Sequence, residues 1–200
     1  MHRHLVKFHT HPDFVSLRSV SPSQKDVWRY ISPITYIKSV AYEGHLDARL
    51  DRTGLREIIQ KQAETGSRFW LLADTTQPEQ NPIAFARTTK HSDEFGSIDE
   101  VLVDPAHVRK GLGSLIVHTA LSRSFNLQQT KLVAPTNSAS PSAAQFYSSI
   151  GMAEQSDPSA QLDPFGDSTA TGHTTLYIGQ ITTVRDTIES RYSWASSFGK

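Results

Sequence analysis

The six residues Arg109-Lys110-Gly111-Leu112-Gly113-Ser114 put two cations beside two glycines that are separated by one residue. Glycine lacks a Cβ, so the backbone there can turn tightly and approach a ligand closely. Downstream, Leu112, Leu115, Ile116, Thr119 and Ala120 follow the i, i+3, i+4, i+7, i+8 spacing of one helix face. A helix that leaves a glycine loop offers free N–H groups and the positive end of its dipole. That chemistry suits an anion, and phosphate above all. Arg109 and Lys110 add mobile positive charge. The spacing matches neither the nucleotide-hydrolase phosphate loop, which closes on Gly-Lys-Ser/Thr, nor the three-glycine dinucleotide fingerprint. Taken alone, the glycines are equally consistent with a plain turn into a helix.

Three further residues carry proton-transfer chemistry. Asp99 and Glu100 are the carboxylates at the start of the strand before the loop. In a regular strand they point to opposite faces, and both are equally consistent with solvated edge charges. Tyr147 stands near the end of a second amphipathic helix, where a phenol serves either as a donor or as a packed core ring. With no cysteine in the chain, thiol nucleophiles, disulfides and cysteine-based metal sites are excluded. His2, His4, His9 and His11 alternate in the first residues, but no partner ligand is spaced to complete a metal site, and a solvated arm is expected. Tyr36, Tyr42, Glu43, His45, Asp47 and Asp51 offer aromatic and acidic groups suited to a cation. An ordinary polar connection is the expected reading of that segment.

These residues need elements to hold them. A strand is expected over Phe14 to Val20, then a helix from Ser23 that ends at Ser32-Pro33. Asp51 to Ala63 reads as a helix with Leu55, Ile58, Ile59 and Ala63 inward, closed by Gly66. Arg68 to Asp74 and Pro82 to Thr88 read as an antiparallel pair of strands, and His91 to Gly96 turns the chain. The strand Ile98 to Val103 stops at Pro105. Gly113 to Ser124 is a helix and Lys131 to Pro135 a buried strand, which makes a parallel crossover. Ser140-Pro141 is a helix start and Gly151 its end. Residues 153–171 read as a surface loop, Thr174 to Ile178 as a last strand, and Thr183 onward as a helix around Val184, Ile188, Tyr192 and Trp194. The expected organisation is an N-terminal arm at 1–13, one domain at 14–181, and a C-terminal tail or helix at 182–200.

The 200 residues hold 20 Lys plus Arg against 20 Asp plus Glu, so no net charge draws the chain to nucleic acid or to an acidic membrane. No apolar run approaches the roughly 20 residues that span a bilayer, and the first residues lack the apolar core of a signal peptide. A cytoplasmic protein is the expectation.

The order strand, two helices, hairpin, strand with glycine loop and helix, strand, helix, strand resembles the GNAT family of N-acetyltransferases. Two motifs carry the resemblance. One is Val103-Asp104-Pro105 followed by Val108-Arg109-Lys110-Gly111-Leu112-Gly113. The other is Ala143-Ala144-Gln145-Phe146-Tyr147-Ser148-Ser149-Ile150-Gly151-Met152. Val108 stands where the family usually has Gln or Arg, Ser140 where many members have Asn, and Met152 where Phe is usual. The resemblance implies an α/β fold: a mixed, mostly antiparallel sheet with helices on both faces and a parallel crossover at the cofactor site. It implies acetyl transfer from acetyl-CoA, without a metal, to the amine of a small molecule or peptide. It places the pyrophosphate on Val108, Arg109, Lys110, Gly111, Leu112, Gly113 and Ser114, with Ser140 nearby, and the pantetheine arm against Val101 and Val103. It makes Tyr147 the acid for the leaving thiolate, with Glu100 or Asp99 as base. A homodimer is allowed. The alternative reading is a non-catalytic acyl-CoA-binding regulatory or interaction module on the same fold.

Overall fold

In the computed structural model, residues 33, 34, 36–38, 52–73, 82–124, 131–137, 141–155 and 174–192 are described. The expected first strand and helix, the terminal histidines, Ser140 and Trp194 lie outside them. In chain order the elements are α1 (Arg52–Glu64), β1 (Ser67–Ala73), β2 (Pro82–Lys90) and β3 (Phe95–Val103). A 3₁₀ turn (Pro105–His107) leads to α2 (Leu112–Ser124) and β4 (Lys131–Asn137). Then follow α3 (Pro141–Ser149), β5 (Ala153–Gln155), β6 (Thr174–Gln180) and α4 (Ile181–Arg191). Pro33, Ile34 and Tyr36–Lys38 are also helical.

The six strands are ordered β1-β2-β3-β4-β6-β5. β3 and β4, joined through α2, run parallel, and β4 pairs antiparallel with β6 over its full length. The sheet is mixed and mostly antiparallel, as expected. β3 pairs with β4 only from Phe95↔Lys131 to Ser97↔Val133. Beyond Ser97, β3 runs on for six residues without that partner.

The chain divides into two compact units. One takes the described residues up to Ala86 together with Val101–Ile116; the other takes Arg87–Glu100 and the described residues from Val117 onward. The first is built on Ile34, Ile37, Ile59, Ala63, Phe69 and Phe85, with Leu71 and Leu102 packed against them. Phe69 and Phe85 stack at 6.4 Å, and burying each phenyl contributes about 2–3 kcal/mol. Ile58, expected inward, is 40% exposed. It follows Glu57, also exposed, on the outer side of α1. Gly66 closes that helix as expected, with φ +89° and its N–H on the Ala63 carbonyl.

In the second unit, Ile98, Val117, Leu121, Leu132, Ile150 and Ile188 are fully buried. α2 was expected to bury one face. Instead Val117, His118 and Leu121 are buried as well as Leu115, Ile116 and Ala120, the pattern of a helix enclosed on all sides. One strand escaped the periodicity argument. Ala153–Gln155 pairs with Ile178 to Leu176 inside what reads as loop. Three residues with no β-branched side chain are too few to show a period.

Candidate active site

The glycine loop is built in the first unit. β3 ends at Val103, and the Asp104 side chain accepts from the Ala106 N–H at 2.8 Å to start the 3₁₀ turn over Pro105. The Asp104 N–H donates to the Ile83 carbonyl, which ties the turn to β2. Val108 is extended and 51% exposed. Arg109 has φ 63° and Gly111 φ 82°, both in the left-handed region. Glycine takes that conformation freely, whereas an arginine there costs about 1–2 kcal/mol. The first bond of α2 runs from the Leu115 N–H to the Gly111 carbonyl at 2.9 Å. The amides of Leu112, Gly113 and Ser114 precede it and have no acceptor within the helix. Gly113 lies inside the first helical turn, so its use is close approach rather than a special φ. Lys110 is less mobile than expected, since its ammonium donates to the Ala106 carbonyl at 3.2 Å. The loop therefore joins left-handed turns, helix-start amides and two cations, an arrangement that suits an anion.

Tyr147, Asp99 and Glu100 all fall in the second unit. Tyr147 sits on α3 and is buried. Pro141 is the first helical residue, where its missing N–H costs nothing. At the other end Gly151 is left-handed, its N–H bonding the Ser148 carbonyl while the Met152 N–H reaches the carbonyl of Tyr147 itself. This is a Schellman cap, and it fixes the backbone of Tyr147. A Cβ on Gly151 would lie 2.7 Å from Thr187 Oγ1, which requires glycine a second time. The Tyr147 ring stacks on Tyr177 of β6 at 5.4 Å and meets Phe146 edge-on at 5.2 Å. Burial, and then the charges of Asp99 and Glu100, push its phenol well above the usual tyrosine range.

Asp99 and Glu100 do not separate cleanly to two faces. Both reach the Arg87 guanidinium of β2: Nη1 is 3.2 Å from Asp99 Oδ2, and Nε is 3.9 Å from Glu100 Oε2. The Asp99 side chain is 3% exposed and that of Glu100 14%. Thr89 Oγ1 donates to Asp99 Oδ2 at 2.6 Å, and Ser97 donates to Oδ1. Arg87, Thr89 and Ser97 were not anticipated. Ser97 and Asp99 are two apart on one strand and so share a face. That spacing was the available signal.

The family model described as the acetyltransferase (GNAT) family matches residues 33–152. This chain belongs to the GNAT acetyltransferase family. Several solved GNAT structures share its fold. An acetyltransferase from Thermus thermophilus is 16% identical at a TM-score of 0.59, covering 83% of this chain and 96% of its own. A GNAT acetyltransferase from Staphylococcus aureus is 14% identical at 0.61, covering 83% and 99%. A spermidine N-acetyltransferase chimera from Vibrio cholerae and its human counterpart is 15% identical at 0.60, covering 86% and 98%. No curated protein matches the sequence.

The glycine loop and the α3 end that carry the two family motifs are both formed, and β3 leaves β4 after Ser97. Among the described residues, no group of three or more His, Asp or Glu is placed to hold a metal, and no helix is long and apolar enough to cross a membrane.

Proposed function

We propose that this GNAT chain is an acetyl-CoA-dependent N-acetyltransferase that passes the acetyl group directly to a primary amine. The observation that carries the reading is Tyr147, a buried phenol on a capped helix end within electrostatic reach of two carboxylates. When bound, acetyl-CoA supplies an acetyl thioester. The chain's own residues do the rest. Amides at Leu112 to Ser114, with Arg109 and Lys110, hold the pyrophosphate, and each charge-assisted bond contributes about 1.5–3 kcal/mol. The β3 backbone at Val101 and Val103, beyond the stretch paired to β4, accepts the amide-bearing arm as an added strand. Ser140, on the residue before α3, is assigned to the same ligand.

Tyr147 donates to the developing sulfur anion. Its phenol stays protonated through the neutral range, so the donor is always charged with its proton. Glu100 and Asp99 take protons from the ammonium of the acceptor. Of the two, Glu100 is the more open and its contact with Arg87 is the longer. Asp99 already accepts on both oxygens. A carboxylate pair and a phenol suit a cationic acceptor, and the fold shared with a spermidine N-acetyltransferase puts polyamines on the list of amines to try.

Calorimetry tests the cradle. Wild type is expected to bind acetyl-CoA, and Gly111→Glu, which adds a side chain and an anion at a left-handed turn, to bind at least about 100-fold more weakly. Equal affinity for the two proteins would remove the glycine loop from the reading.

A further inference from the structure

Acetylation of an ammonium releases one proton per turnover. The C–N bond forms and the C–S bond breaks. The nitrogen gives up two protons, the sulfur takes one, and the other must leave the site. The Asp99 side chain is 3% exposed and Ser97 is fully buried, so water does not reach the carboxylate freely. A continuous chain of side chains leads away from it. Ser97 Oγ donates to Asp99 Oδ1, and the same Oγ lies 2.9 Å from Nε2 of His91. His91 is exposed, at the turn between β2 and β3, with its ring stacked on Phe95 at 4.8 Å.

We propose that Asp99, Ser97 and His91 form the exit path for this proton, with His91 as its outer terminus. This inference rests on the acetyl-transfer reading. At rest the Ser97 hydroxyl donates to Asp99, so neutral His91 offers Nε2–H to Oγ; the ring becomes an acceptor once proton exchange with water shifts that proton to Nδ1. A proton arriving at Asp99 then makes the carboxyl a donor to Ser97 Oγ, the serine hydroxyl turns to Nε2 and its proton moves there, while the Asp99 proton becomes the new hydroxyl proton. The imidazolium releases its Nδ1 proton to bulk water, which leaves Nε2–H facing a hydroxyl that again points at Asp99, so charge and atoms balance. Arg87 and Thr89 hold Oδ2 and leave Oδ1 aimed along the path. Partial burial of the imidazole lowers its proton affinity, against the opposing pull of Asp99, which favours a neutral ring able to accept. Phe95, packed flat on that ring, fixes its direction. Ser97 and His91 are relay groups that need not touch the substrate; Asp99 is where the path meets it.

The test compares wild type, His91→Ala and Ser97→Ala in acetyl-CoA turnover with an accepted amine, with and without added imidazole. His91→Ala is expected to lose about 5- to 20-fold in kcat with unchanged acetyl-CoA affinity, and to regain most of it as imidazole is raised. Ser97→Ala is expected to lose a similar factor that imidazole does not restore, because its break lies inside the path. Full activity in His91→Ala, or a loss that imidazole leaves untouched, overturns the relay. Wild type that turns over no amine would instead remove the acetyl-transfer reading, and the relay with it.

Discussion

Tyr147 gives up nearly all its contact with water, and two carboxylates make its anion costlier still. Such a phenol holds its proton far more tightly than a thiol, whose ordinary value is near 8.5. On the proposed mechanism, complete transfer to the leaving sulfur would be uphill, and the phenol would serve chiefly as a fixed hydrogen-bond donor to developing negative charge. Tyr147→Phe keeps the ring, its stack on Tyr177 and the helix cap, and removes only the donor. Steady-state kinetics are expected to show kcat lower by about 100-fold, with acetyl-CoA affinity little changed. An unaltered kcat would take Tyr147 out of the mechanism. At this scale the sequence was partly readable. Tyr147, Asp99 and Glu100 stood out by type and position, and all three lie in one unit. Arg87, Thr89 and His91 did not, because their partners on β3 lie 6 to 13 residues away across a hairpin whose register the sequence does not print.

Helix ends were the most readable elements, because Pro141, Gly66 and Gly151 act through local backbone geometry. The role of α4 was hidden. Its expected apolar positions Val184 and Ile188 are buried, but its polar anchor is Glu189, whose Oε1 is 2.9 Å from Nε2 of the fully buried His118, with Arg185 Nη2 at 3.4 Å. The two partners are 71 residues apart, and no periodicity connects them. The hydrogen bond to His118 is the largest cause holding the Glu189 carboxyl below the ordinary glutamate range; burial opposes it, and the contact with Arg185 adds to it. A lowered folded-state value makes the contribution to stability full above the ordinary glutamate value. It is lost as the pH falls through the lowered one. Glu189→Ala is expected to cost about 1–2 kcal/mol at neutral pH, discounted for a side chain 30% exposed. Urea unfolding should show that difference shrinking in acid. An equal difference at both pH values would mean that packing, not the ionised carboxylate, is responsible.

For the whole molecule, alternating strands and helices fixed the class, and the parallel β3–α2–β4 crossover followed from helix length. The GNAT motifs fall where the chain changes direction, at the glycine loop and at the end of α3. Burial all around α2 was not readable, since one helix face satisfies the spacing while the remaining residues follow from what packs on it. The central claim is direct transfer of acetyl to an amine. It is tested most directly by mixing the wild-type chain with acetyl-CoA and a panel of polyamines, amino acids and peptide N-termini, then following free thiol and the masses of amine and protein together. The account predicts amine-dependent thiol release, one acetylated amine for each thiol, and no acetyl group left on the protein. Bound acetyl-CoA with no amine-dependent thiol release across the panel would contradict it and favour a non-catalytic acyl-CoA-binding module.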